Sequence, residues 1–312
     1  MTVLPSKSEA LLQRIEWTVL RRLNGALHGE YGALFNGCGI ELAGVRDYRA
    51  GDDVRRIDWN TTARLHETYV REYIEERQVT AWFLLDLSPS LDFGSQQVPK
   101  RALAEDFFAF AASALTRRGN RVGAIMYGDA VDTVIEPRMG PRHIRHVLET
   151  MLARPARASA GATDLTKLLG TAEHIVRDRS LVFVISDFIS APGWGDVLAR
   201  LAQRHDATAV QLSDPLELEM PDLGMIMMQD AETAEQLLVD TGDDSFRIRY
   251  RAAARKRELA VCRTLRDAGV ETLQLSTSDD LAASIIRYAG SRRERARRGV
   301  RMSSRESQRT AA

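Results

Sequence analysis

The stretch that decides the fold is Ala81-Trp-Phe-Leu-Leu-Asp-Leu-Ser-Pro-Ser90, where a continuous apolar run ends in a carboxylate, two serines and a proline. An apolar run of this length without polar alternation is typical of a strand that is buried on both faces of a parallel sheet. Four further runs share this character: Val122–Tyr127, Leu181–Ile185, Ala207–Leu212 and Val270–Leu275. Segments of helical period separate the runs, and this alternation predicts an α/β protein with a doubly wound, mostly parallel sheet.

The segments between the runs predict helices, because their apolar residues recur every three or four positions. The predicted helices contain Leu103–Leu115, Ile144–Met151, Leu165–Val176, Trp194–Leu201 and Asp244–Ala268, and a last one follows Ser278-Asp-Asp280. Ala130–Glu136 comes directly after Gly128-Asp129, which favours an antiparallel partner at the sheet edge. Leu223–Asp240 is compatible with a second hairpin or with an extension before the long helix.

The first 80 residues differ in character from the rest. An amphipathic helix is predicted over Ser8–Asn24, and Ile40–Tyr48 and Thr68–Glu76 favour strands. The charged segment Arg46–Arg64 between them is either a surface for a partner or an internal network of salt bridges, and we favour the network. We therefore predict three parts: a helix with a small N-terminal β-rich subdomain (1–79), the α/β domain (80–290), and a basic tail (291–312).

Composition excludes several classes of protein. Among 312 residues, 43 basic and 43 acidic side chains give a net charge of zero, so no specific nucleic-acid binding is expected. Two cysteines, Cys38 and Cys262, exclude a disulfide framework and a cysteine-rich zinc module. Because no apolar stretch reaches the roughly 20 residues of a membrane span, and the N-terminus lacks a signal core, we expect a cytoplasmic location.

The basic tail is either a frayed terminus or a weak contact to anionic surfaces. Trp59 and Trp82 are expected in the core.

Polar oxygens gather where two of the predicted strands end. Asp86, Ser88 and Ser90 follow the first strand, Asp187 follows the strand Leu181–Ile185, and Thr163 precedes a helix. Ligands of open α/β sheets bind at the carboxyl edge of the strands. If the two strands are neighbours, the five side chains face one crevice, and hard cations prefer oxygen ligands of this kind. The pattern therefore predicts a metal site, with turn and helix-cap chemistry as the alternative.

These residues resemble the metal-ion-dependent adhesion site of the von Willebrand factor A domain. A second, more specific signature resembles the bacterial domain of unknown function 58 family; it comprises Arg46–Tyr48, Gly51–Asp53, Arg55–Trp59, Thr62–Arg64 and Arg71-Glu72. That resemblance implies a six-stranded von Willebrand A-like domain and a partner among the MoxR-type AAA+ ATPases, which are often encoded beside family members. The resemblance to the adhesion site implies that Ser88, Ser90 and Thr163 bind the metal directly. It also implies that Asp86 and Asp187 bind the metal directly or through water.

The charge count suggests how such a site would work. Mg²⁺, or alternatively Mn²⁺ or Ca²⁺, would keep at least one coordination position open, since Mg²⁺ takes six oxygens and the protein supplies at most five. A carboxylate of a client protein can fill that position. We therefore expect a non-enzymatic, metal-dependent protein-binding module that acts as an adaptor or assembly factor. The alternatives are a metal-dependent hydrolase or phosphatase that uses Asp86, and a structural scaffold with an unused site.

Overall fold

The protein, seen here in a computed structural model, has a mixed α/β fold with one large sheet. The structure describes residues 6–15, 45–48, 57, 59, 62–63, 67–71, 78–95, 98–155, 163–229 and 235–292. In chain order its elements are α1 Lys7–Ile15, β1 Val45–Asp47, β2 Tyr69–Arg71, β3 Thr80–Asp86, α2 Lys100–Thr116, β4 Arg121–Tyr127, β5 Val131–Arg138, α3 Pro141–Leu152, α4 Leu165–Ile175, β6 Leu181–Ser186, α5 Trp194–Arg204, β7 Asp206–Ser213, α6 Pro215–Leu218, β8 Met225–Gln229, β9 Gln236–Asp240, α7 Asp244–Asp267, β10 Glu271–Ser276 and α8 over 281–292.

The large sheet has six strands in the order β10-β7-β6-β3-β4-β5. All neighbours are parallel except β4 and β5, which are antiparallel. The predicted mostly parallel, six-stranded sheet is confirmed, and so is the antiparallel strand at its edge. The predicted strand limits differ from the observed ones by one or two residues at some ends, because an apolar run does not mark where sheet hydrogen bonding stops.

Helices cover the sheet on both faces and create two apolar layers. Phe83 and Leu85 of β3 pack in the layer that α2, α3 and α8 cover. Trp82 and Leu84 point the opposite way, into the layer below α4, α5 and α7. Each large side chain buried in this way contributes about 1.5–3 kcal/mol of transfer free energy. Because both faces of β3 are buried, its sequence is continuously apolar rather than alternating.

Gly123 in β4 shows how closely the central strands pack around Trp82. The two residues are register partners in neighbouring strands. A Cβ atom at Gly123 would lie 2.9 Å from Cε3 of Trp82, so only glycine leaves room for the indole. Trp82 is 5% exposed, as expected of a core residue.

The described part of the N-terminal region contains α1 and the antiparallel pair β1–β2. Helix α1 packs against α2 and α3 through an Arg14–Asp106 ion pair, a 2.7 Å Arg145–Glu9 ion pair and the buried side chain of Ile15. The rest of the predicted helix and strands, most of the charged segment Arg46–Arg64 and the tail beyond Arg292 lie outside the described residues. The first two residues of the predicted tail, Ser291 and Arg292, belong to α8, and Arg292 forms a 2.8 Å ion pair with Glu271. The division into three parts therefore stays a prediction. Trp59 is 68% exposed, so its prediction as a core residue is wrong.

Strands β8 and β9 form an antiparallel hairpin beside the main sheet. Of the two alternatives predicted for Leu223–Asp240, a second hairpin or an extension, the structure has the hairpin. Among the described residues, no helix combines the length and the apolar character needed to cross a bilayer.

Candidate metal site

Asp86, Ser88 and Ser90 lie in a tight turn at the carboxyl end of β3. Ser88 donates its backbone N–H to Oδ1 of Asp86 at 3.0 Å, and the hydroxyl oxygens of Ser88 and Ser90 are 3.1 Å apart. A short 3₁₀ helix, Pro89–Asp92, starts between the two serines. Proline favours the start of such a turn because its φ angle is already fixed there. A straight strand would place these three side chains on one face but spread them along it, so it is the turn that brings the two serine hydroxyls into contact.

The strand that carries Asp187 is the direct neighbour of β3. Leu85 of β3 is the register partner of Ile185 in β6, so the two carboxyl ends meet at one edge. Ser186, the last residue of β6, donates its hydroxyl to Oδ2 of Asp86 at 2.6 Å. The next residue, Asp187, accepts a 2.9 Å hydrogen bond from the backbone of Ile189. The condition for a common crevice, that the two strands are neighbours, is therefore met.

Phe188 turns the chain away from the crevice. It has a φ of 58°, which is uncommon for a residue with a side chain and indicates a conformation held by its surroundings. Its ring is buried and lies 5.2 Å from that of Trp194, while its N–H donates to the Ser186 hydroxyl at 2.9 Å. The aromatic side chain therefore belongs to the apolar layer, and the Asp187 carboxylate stays at the sheet edge.

Thr163 reaches the same edge from the start of α4. Its carbonyl accepts hydrogen bonds from the backbone of Ala191 at 2.9 Å and from the hydroxyl of Ser190 at 3.0 Å, both in the loop after Asp187. The next residue, Asp164, caps α4 and donates its N–H to the Tyr127 hydroxyl at the end of β4. The structure thus places all five predicted residues at one edge of the sheet, with Thr163 tied there through its backbone.

The Asp86 carboxylate is buried, and this raises the free energy of its charged form. Asp86 is fully inaccessible to solvent and Asp187 is 4% exposed. Burial, and next the negative charge of Asp187, raise the pKa of Asp86 to about 6. A cation beside Asp86 would reduce this penalty, so the burial of Asp86 favours a positively charged neighbour.

Lys100, at the start of α2, is a site residue that the sequence analysis missed. Its ammonium group lies 2.7 Å from Oδ2 of Asp187 and 2.5 Å from Oε1 of Glu217, and its side chain is fully buried. Burial alone would lower the pKa of Lys100, but the charges of Asp187 and Glu217 raise it, so the ammonium stays protonated. A lysine at the first position of a helix carries no sequence signal that separates it from an ordinary exposed lysine.

Glu217 is held in place by a second polar cluster around Asp214. This aspartate follows β7 and forms a capping box with Glu217 on the short helix α6. It also accepts hydrogen bonds from Ser95 and from the Thr277 hydroxyl. Burial alone would raise the pKa of Asp214, but these hydrogen bonds together lower it. The Asp-Pro-Leu-Glu pattern after a strand was the available signal, since it is a capping box at the functional edge.

The donor set fits a hard cation. It offers two carboxylates and three hydroxyls, which are the ligand types that Mg²⁺, Mn²⁺ and Ca²⁺ accept. In the part of the chain that the structure describes, no group of three or more His, Cys, Asp or Glu side chains could hold a metal ion. That finding excludes a carboxylate- or histidine-rich centre there, whereas the site at Asp86 has only two such side chains and depends on hydroxyls.

These features define a class: an α/β protein with an oxygen-lined candidate cation site at the carboxyl edge of its sheet. The sequence places the chain in a family. Residues 44–260 match the family described as "Protein of unknown function DUF58", and the chain belongs to that family.

Two relatives come from mycobacteria. An uncharacterized protein of Mycobacterium tuberculosis is 36% identical over 297 residues, which are 94% of this chain and 92% of that protein. An uncharacterized protein of Mycobacterium avium is 34% identical over 164 residues, which are 52% of this chain and 96% of that protein.

The likeness to solved structures is weaker. The conserved hypothetical protein BatB from Bacteroides thetaiotaomicron is 13% identical, with a TM-score of 0.43, over 69% of this chain and 99% of that chain. An aerotolerance-related membrane protein from Bacteroides fragilis is 12% identical, with a TM-score of 0.41, over 68% of this chain and 99% of that chain.

Proposed function

We propose that the protein is a metal-dependent protein-binding module with a von Willebrand factor A-like fold and a metal-ion-dependent adhesion site. The observation that carries the proposal is the meeting of the Asp86–Ser90 turn and the Asp187 loop at one sheet edge, linked by the 2.6 Å hydrogen bond from Ser186 to Asp86. The site would hold Mg²⁺, with Mn²⁺ or Ca²⁺ as alternatives. Ser88, Ser90 and Thr163 would bind it directly, and Asp86 and Asp187 directly or through water.

The geometry supports binding rather than catalysis. Five protein oxygens leave at least one of the six positions of Mg²⁺ for an external ligand. A carboxylate suits that position best, because it is a hard oxygen ligand and carries the charge that the metal attracts. The hydrolase alternative needs a nucleophile or a second acidic metal ligand close to Asp86. The position two residues later, where such a ligand would lie, is Ser88.

We infer that a client approaches the site through an open cleft beside Asp187, which is the one proposed ligand that lines this cleft. It has a volume of about 190 Å³ and lies between the ends of β6, β7 and β10 and the helix α7. Its walls include Glu217 and Arg257, so the approach carries charges of both signs. We infer that the client is a protein with an acidic residue, and that a MoxR-type AAA+ ATPase is the first candidate partner. A cytoplasmic location, and contact of the basic tail with anionic surfaces, stay predictions.

The test is a binding experiment with a purified MoxR-type AAA+ ATPase from the same genome. The protein is immobilised and the ATPase is passed over it in Mg²⁺ and then in EDTA, with Ser88→Ala as the site variant. Retention in Mg²⁺ that is lost in EDTA and in the variant supports the proposal. Retention that neither change affects contradicts metal-dependent binding. Metal-dependent phosphatase activity of the pure protein would favour the hydrolase alternative.

A further inference from the structure

The carboxylate of Asp187 is already bound to the buried ammonium of Lys100. A metal that binds at the site would have to bind this same carboxylate. One oxygen of Asp187 accepts the N–H of Ile189, and the other accepts Lys100 at 2.7 Å. The side chains of Lys100 and Asp187 are 0% and 1% exposed, so water does not screen this pair. A metal that binds Asp187 therefore meets a carboxylate whose charge is already partly neutralised.

Glu217 is the second carboxylate that forms an ion pair with Lys100. Its Oε1 lies 2.5 Å from the ammonium, and its side chain is 16% exposed. Helix α6 fixes this position, because the capping box joins Asp214 and Glu217. Lys100 is therefore bound to a carboxylate that belongs to the candidate metal site and to one that does not.

The charge count gives Lys100 two opposite effects. With Asp86, Asp187 and Glu217 ionised and Lys100 protonated, the cluster carries −2, and a divalent cation makes it neutral. Without the lysine charge the cluster would carry −3, bind the cation more strongly and remain negative afterwards. An incoming carboxylate would then be repelled, whereas it meets a neutral cluster when Lys100 is present.

We propose that Lys100 is a fixed counter-cation that weakens metal binding at Asp187 and in exchange strengthens the binding of a carboxylate to the metal. This inference rests on the proposed function and deepens it, since it assigns a residue that favours acidic clients. It also explains why a lysine is buried beside a site made for cations. If Lys100 only formed a structural salt bridge, the loss of Lys100 would disturb Asp187. Metal binding and carboxylate binding would then both become weaker.

The test compares three variants with the native protein. Lys100→Met removes the charge and keeps an unbranched side chain, Glu217→Gln leaves Lys100 to Asp187 alone, and Lys256→Met removes one exposed lysine from α7 as a control for net charge. Binding of Mn²⁺ alone is measured by calorimetry. Binding of acetate to the Mn²⁺-loaded protein is measured by water-proton relaxation, and urea unfolding without metal confirms that each variant is folded.

The expected result is a pair of opposite shifts. Lys100→Met should bind Mn²⁺ at least about tenfold more tightly and acetate several-fold more weakly, since removing a unit charge within a few ångströms of a buried site is a strong effect. Glu217→Gln should bind Mn²⁺ more weakly, and Lys256→Met should match the native protein. If Lys100→Met does not fold, the shift in Glu217→Gln decides: weaker Mn²⁺ binding supports the proposal, and unchanged or tighter binding overturns it.

Other results overturn the inference, and they separate it from the proposed function. A folded Lys100→Met protein with weaker or unchanged Mn²⁺ binding would show that the lysine only orients Asp187 or only stabilises the fold, while the proposed function would stand. Absence of Mn²⁺ binding in the native protein and in Lys100→Met alike would overturn both. Binding by Lys100→Met but not by the native protein would overturn the proposed function, and with it the gain in carboxylate binding that the inference assigns to Lys100.

Discussion

Ser88 is the residue whose replacement separates metal binding from folding. Its hydroxyl touches that of Ser90 at 3.1 Å, and both belong to the proposed ligand set. In Ser88→Ala, Mn²⁺ affinity should fall at least about tenfold, because an oxygen ligand is lost. The free energy of unfolding without metal should change by only about 1 kcal/mol, the net value of one hydrogen bond. Calorimetry and urea unfolding measure the two quantities.

Ser180→Ala is the matched control for this change. Ser180 is equally buried and donates its hydroxyl to Asp178 at 2.8 Å, but it precedes β6 and so lies at the opposite edge of the sheet. Its replacement should leave Mn²⁺ affinity unchanged. Equal affinity in Ser88→Ala and Ser180→Ala would remove Ser88 from the ligand set.

Glu105 on α2 gives the protein a pH-dependent stability. Burial raises the pKa of Glu105 from 4.5 to about 7, and the opposing charge of Arg101 does not offset it. Because the folded state holds this proton more tightly than the unfolded state, the free energy of unfolding should decrease as the pH rises from about 4.5 to about 7. Glu105→Gln should reduce the decrease by about 1–2 kcal/mol. Urea unfolding at pH 5 and pH 8 measures this, and identical decreases in both proteins would contradict it.

The contact between helices α5 and α7 depends on the absence of a side chain at Gly195. A Cβ atom there would lie 2.4 Å from Cγ2 of Thr264. Alanine would ordinarily favour a helix over glycine by up to about 1 kcal/mol. We expect the clash to outweigh this, so that Gly195→Ala lowers the free energy of unfolding by about 1–3 kcal/mol.

The double variant Gly195→Ala/Thr264→Ser tests the cause of this loss. Serine removes Cγ2 but keeps the hydroxyl that donates to the Ala260 carbonyl at 3.0 Å. The double variant should therefore recover most of the stability in thermal or urea unfolding. A Gly195→Ala protein as stable as the native one would show that the helices move apart at little cost.

The strands could be predicted from the sequence because burial on both faces leaves a continuous apolar run. The antiparallel edge strand could be predicted because only Gly128 and Asp129 separate the two predicted runs, which is too short for a parallel crossover. The order of the sheet could not be read in the same way, since periodicity does not say that β6 lies beside β3. Trp59 shows that residue type alone does not predict burial. Outside a periodic segment, nothing in the sequence indicates whether an aromatic side chain faces the core or the solvent.

The residues of the candidate site that belong to local sequence motifs could be predicted from the sequence. Asp86, Ser88 and Ser90 form one turn, and Asp187 directly follows a strand, so their type and place were visible in the sequence. The contact between Lys100 and Glu217 was not visible, because it arises only from the packing of α2 and α6 at the sheet edge. The charge balance of the site is thus a property of the tertiary structure.

In the described part of the protein, two apolar layers enclose the six-stranded sheet, and the residues of the candidate site lie at its carboxyl edge. The order of the strands determines which loops meet at that edge. The proposed function therefore depends on whether the side chains of the Asp86–Ser90 turn, Thr163 and Asp187 converge on one ion.

A crystal structure of the native protein grown with MnCl₂ tests that convergence most directly. We predict an anomalous difference peak among Ser88, Ser90 and Thr163, with Asp86 and Asp187 bound directly or through water and with Lys100 still paired to Glu217. A well-ordered site without such a peak at saturating Mn²⁺, with the Lys100 ammonium on Asp187 as before, would contradict the account.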